Sequence, residues 1–398
     1  MRPKVGVIGL GYVGLPLSIE ISRAGFTVVG VDIDPRKVGR INAGFSDIVD
    51  VSNLDIQQQI LSGNFLASTS FEELKEVEIV VVCVPTPLNE NRSPDYSFVQ
   101  NAAQAIAPWI NKGDLIILES SVAPGTTREL FLPILESISG LNQNNFYLAF
   151  SPERVDPGNI IWQLKNTPKI VAGLNDESLR KAVDFYSTFV QQLVPCESLE
   201  IAEMAKILEN SFRFINISFI NEVKVLADKL KIDLIKVIDA AGTKPYGFMK
   251  FYPSLGAGGH CIPVDPKFLT EIASKINTPL RFLNLAEDIN VNLPNHFVSL
   301  IDKKLGGLIN KRILIIGIAY KANVADLREA PALTLINELR SEQAKVFWHD
   351  DLVMEWNSEK SSPLSGEYDL AILATAHDYL ELSSLRNVPI LNTQGFIH

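Results

Sequence analysis

Gly256-Ala257-Gly258-Gly259-His260-Cys261-Ile262-Pro263-Val264-Asp265 concentrates glycine just ahead of a cysteine and sets a carboxylate four positions after it. Glycines give a ligand close access to the backbone, and a cysteine in such a loop can meet a substrate carbon. As a nucleophile that cysteine needs a lowered thiol pKa or a nearby base. The bland alternative is a small buried hydrophobe. Asp265-Pro266 also reads as an ordinary helix start, aspartate capping and proline first inside, so Asp265 can serve two roles. No role is assigned to His260.

A second chemical segment is Gly9-Leu10-Gly11-Tyr12-Val13-Gly14, which follows an apolar run and opens a helical pattern. In a dinucleotide fingerprint Gly9 permits the tight turn, Gly11 lets the pyrophosphate approach the backbone, and Gly14 allows close packing of helix on strand. Asp32 ends the next apolar run, where a carboxylate accepts from a ribose hydroxyl and repels a 2′-phosphate. That favours NAD over NADP, a preference tempered by Arg36 and Lys37. The runs Cys83-Val84-Pro85-Thr86-Pro87 and Glu119-Ser120-Ser121 fall after further strand patterns. Carboxyl ends of parallel strands are where ligands bind, and Cys83 reads as packing. Lys206 and Asn210 lie four apart in a helical pattern, so they share one face, where an ammonium and an amide can steady a developing alkoxide. Without further context Lys206 is a surface lysine.

The elements that must position these groups alternate. Lys4–Leu10, Thr27–Asp32, Glu78–Val84 and Leu115–Ser120 read as strands with amphipathic stretches between them, and Phe146–Phe150 and Lys169–Ala172 extend the series. This is the pattern of a parallel sheet with helices on both faces. From Glu197 to Lys231 runs one long helix, rich in Asn at its centre (Asn210, Asn216, Asn221) and poor in charge, which implies burial by another domain or a second subunit. Gly242 to Pro266 is too rich in Gly and Pro for a regular element. A helix from Pro279 to Leu305 follows, then a second α/β unit with strands at Arg312–Ala319, Lys345–His349, Leu370–Ala374 and Pro389–Asn392.

The chain has 398 residues, which argues for more than one core. A formal charge of −10 supplies no general field for nucleic acid, so an anionic ligand must be held by local donors. The cysteines, three without paired spacing, suggest neither a disulfide framework nor a metal cage, and the expected compartment is the cytoplasm. No run is long enough to enter a membrane.

In these segments the sequence resembles the UDP-glucose/GDP-mannose dehydrogenase family. The resemblance rests on the glycine loop with Asp32, Val84-Pro85-Thr86-Pro87, Ser151-Pro152-Glu153, Lys206 with Asn210, the Cys261 segment, and Gly317-Ile318-Ala319-Tyr320-Lys321 with Asp326 and Arg328. It implies an α/β fold of two Rossmann-like, doubly wound domains joined by a central long-helix domain. The expected boundaries are 1–196 for NAD, 197–306 for dimerisation and the Cys loop, and 307–398 for the UDP-sugar. It implies oxidation of a primary alcohol to a carboxylate with two NAD in succession, through a thiohemiacetal and thioester on Cys261.

By the same resemblance, the catalytic set is Cys261, Lys206, Asn210, Asp265, Glu153 and Ser121. Asp265 holds the catalytic water or takes its proton, and Glu153 helps to activate water against the thioester. The cofactor contacts are Gly9, Gly11, Tyr12, Val13, Gly14, Asp32, Lys37, Val84, Pro85, Thr86, Ser121, Glu153 and Arg328. The substrate contacts are Arg154, Lys206, Asn210, Tyr246, Phe251, Tyr252, Gly258 and Lys321, with Lys321 and Arg328 as basic contacts in the last domain. No metal is expected, and the partner is a second copy of the chain.

Two departures bear on the substrate. Where UDP-glucose dehydrogenases carry a second glutamate four positions after Glu153, this chain has Pro157, and the threonine of their Ser-Thr-Val turn is Ser121. Glu-Arg-Val-Asp-Pro-Gly, Gly-Gly-His-Cys-Ile-Pro-Val-Asp-Pro and Tyr246–Tyr252 are similar to the branch that oxidises UDP-N-acetylhexosamines, above all UDP-N-acetylglucosamine, for polysaccharide biosynthesis. The alternatives are the same reaction on another nucleotide sugar (UDP-N-acetylgalactosamine, UDP-glucose, UDP-N-acetylmannosamine or GDP-mannose), a single-step hydroxyacid dehydrogenase, which needs the lysine and asparagine but no cysteine, and a non-catalytic NAD-binding regulator.

Overall fold

The computed structural model describes residues 2–48, 50–156 and 158–394; Pro157 lies outside them. The chain forms two compact units, Met1–Leu208 and Glu209–His398.

In the first unit the strands are β1 (Lys4–Ile8), β2 (Thr27–Val31), β3 (Phe65–Ser68), β4 (Ile79–Val82), β5 (Leu115–Leu118), β6 (Tyr147–Phe150), β7 (Lys169–Gly173) and β8 (Leu193–Cys196). They make one sheet in the order β3-β2-β1-β4-β5-β6-β7-β8. All neighbours are parallel except β6 and β7. Central strands such as Ile-Val-Val-Val and Leu-Ile-Ile-Leu are buried throughout because helices cover both faces. Alternate residues feed opposite cores: Val5, Val7, Val81 and Ile117 enter one cluster, while Ile8, Val80, Val82 and Ile116 enter the other. The covering helices are α1 (Gly14–Arg23), α2 (Pro35–Asn42), α3 (Asn53–Leu61), α4 (Ser97–Ile106), α5 (Leu132–Ser139) and α6 (Asp176–Tyr186).

The chain builds β2 and β3 to one side of β1 and then returns to place β4 on the other, so the strand order reverses between β1 and β4. A crevice opens at such a reversal, beyond the carboxyl ends of the strands. Strands β3 and β8 are additional to those read from the sequence. The first is four residues long, and the second carries Pro195, which is tolerated because β8 is the edge of the sheet.

Helix α7 (Leu199–Leu230) matches the long helix expected over Glu197–Lys231. The second unit continues with α8 (Leu234–Ala241), an irregular segment through Val264, α9 (Asp265–Lys275) and α10 (Arg281–Leu305). A parallel sheet follows, made of β9 (Arg312–Ile316), β10 (Lys345–His349), β13 (Leu370–Leu373) and β14 (Ile390–Asn392) in the order β10-β9-β13-β14. Between them lie α11 (Pro331–Ser341) and a short hairpin of β11 (Glu355–Trp356) and β12 (Glu359–Lys360). Trp348, Leu335, Ile336 and Leu339 fill the core of this sheet.

The second sheet repeats a device of the first. Gly9 donates its N–H to Val31 at 2.7 Å and Gly317 donates to His349 at 2.8 Å, each joining a turn to the neighbouring strand. Leu10 then donates to Asp32 at 2.9 Å, and Ile318 to Asp350 at 2.9 Å. The two α/β units are thus built alike, and the fold is α/β with two Rossmann-like sheets and a long central helix. Among the described residues, no helix is long and apolar enough to cross a membrane.

The Asn-rich centre of α7 behaves differently from the expectation. Asn210 and Asn221 are buried, at 5% and 1% exposure, by partners within the chain. Asn221 accepts from the Ser254 N–H at 2.8 Å. What α7 exposes is apolar: Leu208, Phe212, Phe219, Leu226 and Leu230, each more than 40% exposed. Their spacing of four and seven places them in one stripe.

Candidate active site

In the first unit the fingerprint glycines divide into two kinds. A Cβ on Gly9 would stand 2.6 Å from the Cys83 carbonyl oxygen, and one on Gly14 would stand 1.8 Å from that of Gly9. Both are demanded by the protein's own packing. A Cβ on Gly11 would meet nothing within 4 Å, so that position opens outward, as a backbone approached by a phosphate requires. Helix α1 begins just behind, with no acidic residue in its first turn and no side-chain cap, leaving its N-terminus suited to an anion. Tyr12 and Val13 form the turn between.

Asp32 is 7% exposed. Its Oδ2 accepts from Leu10 N–H at 2.9 Å and from Lys37 Nζ at 2.7 Å, and Oδ1 accepts from Asp34 N–H at 3.0 Å. A carboxylate has roughly four acceptor positions, so one remains for a hydroxyl. These features fit a dinucleotide, which Gly11, the α1 N-terminus and Asp32 would hold. Beyond β4, Val84, Pro85 and Thr86 run along the same carboxyl edge, where Ser120 Oγ donates to the Val84 carbonyl at 2.8 Å and so fixes the turn that leads to Ser121.

Glu203 of α7 fastens the segment after Ser121. Its side chain accepts from Gly125 N–H at 2.6 Å, Thr127 N–H at 2.9 Å and Thr127 Oγ1 at 2.6 Å. Burial pushes its pKa up to about 7, against the pull of those donors. Sequence reasoning missed this residue because a helix-face glutamate looks like a solvated one.

Glu153, beyond β6, accepts from Arg154 N–H at 2.7 Å and Val155 N–H at 2.6 Å, and its Oε2 lies 3.5 Å from Lys169 Nζ. Burial alone would raise its pKa, but Lys169, the two amides and Lys206 more than offset that and hold the carboxyl below its ordinary value. Arg154 Nη1 donates to the Pro168 carbonyl at 2.6 Å. Lys169 and its second acid, Glu119, were also missed. The signal was a lysine opening the otherwise apolar strand Lys-Ile-Val-Ala-Gly, every residue of which is buried.

In the second unit, Asn210 Nδ2 donates to Asp265 Oδ2 at 2.6 Å, with Asp265 2% exposed. Asp265 is the first residue of α9, not its cap: Val264 holds that place and makes no side-chain cap bond. The carboxylate turns to Asn210 instead. Cys261 heads the turn into α9, its carbonyl accepting from Val264 N–H at 3.2 Å and Asp265 N–H at 2.8 Å. Its side chain is half-buried, and among the described residues no cysteine is in a disulfide.

The glycines ahead of Cys261 are filled in by the protein itself. A Cβ on Gly258 would stand 2.7 Å from the Glu329 carbonyl oxygen, and one on Gly259 2.6 Å from the Tyr320 ring. Gly259 N–H also donates to Arg328 O at 3.0 Å. Arg328 and Asp326 pair through both guanidinium and backbone, and Asp326 Oδ2 lies 3.9 Å from His260 Nδ1. The Cys261 loop is therefore laced to the Tyr320-Lys321 to Arg328 segment. Nearby, Tyr252 OH donates to Asp239 at 2.9 Å and Phe251 packs edge-on against Phe212, while Tyr246 is 73% exposed. Among the described residues, no group of His, Cys, Asp or Glu could hold a metal ion.

A Rossmann sheet with an open glycine turn and a strand-end acid, followed by a long helix and a second α/β sheet, defines an NAD-dependent dehydrogenase. The chain belongs to the UDP-glucose/GDP-mannose dehydrogenase family: the family's NAD binding domain matches residues 3–190, its central domain 200–292 and its UDP binding domain 314–393. It is 32% identical to a UDP-N-acetyl-D-glucosamine 6-dehydrogenase of Pseudomonas aeruginosa, over 97% of this chain and 93% of that one. It is 35% identical to a UDP-N-acetyl-D-mannosamine dehydrogenase of Campylobacter jejuni, over 86% and 84%. Among solved structures, a UDP-D-ManNAc dehydrogenase from Pyrococcus horikoshii superposes with a TM-score of 0.91 at 30% identity, covering 99% of this chain and 96% of that one. The protein is thus an NAD-dependent nucleotide-sugar dehydrogenase.

Proposed function

We propose that the protein oxidises the C6 alcohol of a UDP-N-acetylhexosamine, UDP-N-acetylglucosamine foremost, to the uronic acid, through a covalent intermediate on Cys261. The observation that carries this reading is the 2.6 Å bond from Asn210 to Asp265, which ties the polar face of α7 to the turn headed by Cys261. Residues 1–196, 197–306 and 307–398 serve as the NAD, central and UDP-sugar domains.

NAD, when bound, supplies a hydride acceptor for each of two successive oxidations. Lys206 and Asn210, one helical turn apart, donate to the substrate oxygen as it becomes an alkoxide, where a fixed ammonium and amide are worth most. The Cys261 thiolate adds to the aldehyde and keeps it attached as a thiohemiacetal, which the second oxidation turns into a thioester. Asp265 holds the catalytic water or takes its proton, and Glu153 helps to activate the water that releases the acid. Ser121 lies at the carboxyl edge of the first sheet with Val84, Pro85 and Thr86. Arg154, Tyr246, Phe251 and Tyr252 supply the sugar contacts, and Lys321 and Arg328 the basic ones.

A homodimer is part of the same proposal. The exposed stripe Leu208, Phe212, Phe219 and Leu226 supports it, because contiguous apolar surface of this kind marks an interface. A cytoplasmic location and a role in polysaccharide biosynthesis belong to the proposal as well.

The substrate is tested by following NADH absorbance with UDP-N-acetylglucosamine, UDP-N-acetylgalactosamine, UDP-N-acetylmannosamine, UDP-glucose and GDP-mannose in parallel. The highest kcat/KM is expected for UDP-N-acetylglucosamine. A higher value for UDP-N-acetylmannosamine would reassign the sugar, and no NADH from any of them would favour a non-catalytic NAD-binding protein.

A further inference from the structure

Behind Glu153 the first unit buries a cation between two acids. Lys169 Nζ lies 3.2 Å from Glu119 Oε2 and 3.5 Å from Glu153 Oε2. Tyr186 OH donates to Glu119 from α6, and the Lys169 ammonium stands 5.1 Å from the centre of the Tyr186 ring. The lysine, Glu119 and Tyr186 are sealed, with residue exposures of 4%, 1% and 0%. Only the Glu153 side chain, at 15%, reaches toward solvent.

We propose that Lys169, held from behind by Glu119 and Tyr186, is the positioning residue that fixes the Glu153 carboxylate for the hydrolytic half of the reaction. This inference rests on the role given to Glu153 above. A pair that merely joined β5, β6 and β7 would need one acid for one cation. Burying charge is costly, and well-packed apolar residues often hold a fold as well. Here one ammonium serves two carboxylates, and the acid it orients is the one at the open end. Glu153 spends one oxygen on the Arg154 and Val155 amides and presents the other to Lys169.

The surrounding charges work in the same direction. The groups that face Glu153 are Lys169 on β7, Lys206 on α7, the Arg154 and Val155 amides, and Glu119 beyond β5. Burial raises the Glu119 pKa, with Glu153 adding to it, while Lys169 and Lys206 help to lower that of Glu153. Cys83 is also part of this buried group, and burial pushes its thiol well up, so it stays neutral. The proton thus belongs on Glu119 before Glu153, which leaves Glu153 the anion able to take one from water.

The chemistry balances without a further reagent. The Cys261 S–H and the substrate CH2OH become an S–C(=O) thioester as two hydrides pass to two NAD and two protons to solvent. Water then adds to the acyl carbon, its proton goes to Glu153, and the C–S bond breaks to return the thiolate and the acid.

The test is Lys169→Met, with Lys169→Arg and Tyr186→Phe beside it, each given NAD and UDP-N-acetylglucosamine. With hydrolysis slowed, K169M is expected to release a burst of about two NADH per site and then to turn over at least ~30-fold more slowly. Its intact mass should rise by that of the substrate less about four hydrogens, on Cys261. Because a later step is slowed, KM should fall with kcat, leaving kcat/KM within about threefold of the wild-type value. The acidic limb of kcat should move to higher pH, since loss of a cation raises the pKa of the acid it faced. K169R should restore the position of that limb. If K169M does not fold, Y186F, which loosens the support behind Lys169, should show the same burst and adduct to a smaller degree.

A fall in kcat/KM with no adduct and no burst, in K169M or Y186F, would overturn the positioning role while the wild-type enzyme still turns over. Wild-type protein that forms no NADH from any UDP-sugar would instead remove the functional reading, and this inference with it.

Discussion

Asn210 and Asp265, 55 positions apart, meet through a 2.6 Å bond in which the amide donates to the carboxylate. The bond brings a helix face and the start of α9 together four residues after Cys261, and it orients the Asn210 amide so that its carbonyl end is known. Asp265 is 2% exposed, so its charge is not dispersed by water. Asp265→Asn can still accept from Asn210 through its amide oxygen, but it removes the charge and the carboxylate that takes a proton. A drop in kcat of about 10²-fold or more is expected, with NAD affinity unchanged. Steady-state kinetics and cofactor titration check this; undiminished turnover would remove Asp265 from the chemistry.

The two glycine classes predict opposite behaviour. Gly11→Ala adds a methyl into open space, so stability should change by less than about 0.5 kcal/mol while NAD binding weakens. Gly259→Ala drives a Cβ to 2.6 Å from the Tyr320 ring at φ +85, so a loss of about 2 kcal/mol or more is expected. Denaturant midpoints for the two variants, with NAD titrations, decide it.

Glu203 gives a pH dependence with a definite sign. Burial raises its pKa from 4.5 to about 7. Between those values the folded chain keeps a proton that the unfolded chain releases. The group's contribution to stability is therefore complete below about pH 4.5 and declines as pH rises to about 7. Asp114, raised by burial to about 6, acts in the same direction, so a variant is needed to isolate Glu203. In Glu203→Gln the fall in Tm between about pH 5 and 7 should flatten. An identical slope in wild type and variant would contradict the assignment.

The apolar stripe of α7 predicts assembly. Phe219, 57% exposed at its centre, becomes a charge in an apolar contact when replaced by glutamate. Sedimentation should show dimeric wild type and monomeric Phe219→Glu. A stable wild-type monomer at micromolar concentration would contradict the dimer.

The sheet strands and the glycine turn were legible because burial on both faces writes continuous apolar runs and because Gly9, Gly14 and Asp32 answer local backbone demands. The long helix was legible from its period, but the reason given for its burial was not. Asn210 donates to Asp265 and Asn221 accepts from Ser254 within the chain, and only tertiary contacts could reveal that. Gly258 and Gly259 read as room for a ligand in sequence, whereas Tyr320 and Glu329 fill that room from more than sixty positions away. The Lys169 cluster was legible only in its lysine, which opens an otherwise apolar strand: its partners come from α6 and the ends of β5 and β6, and no local pattern joins them.

The central claim is that Cys261 carries the substrate through two oxidations before water releases it. The most direct measurement is the number of NADH formed per UDP-N-acetylglucosamine consumed, with the product identified by mass, in wild-type protein and in Cys261→Ala. The account predicts about two NADH and one uronic acid for the wild type, and no acid from Cys261→Ala despite intact NAD binding. One NADH per substrate with no acid, or acid production that survives loss of the sulfur, would contradict it.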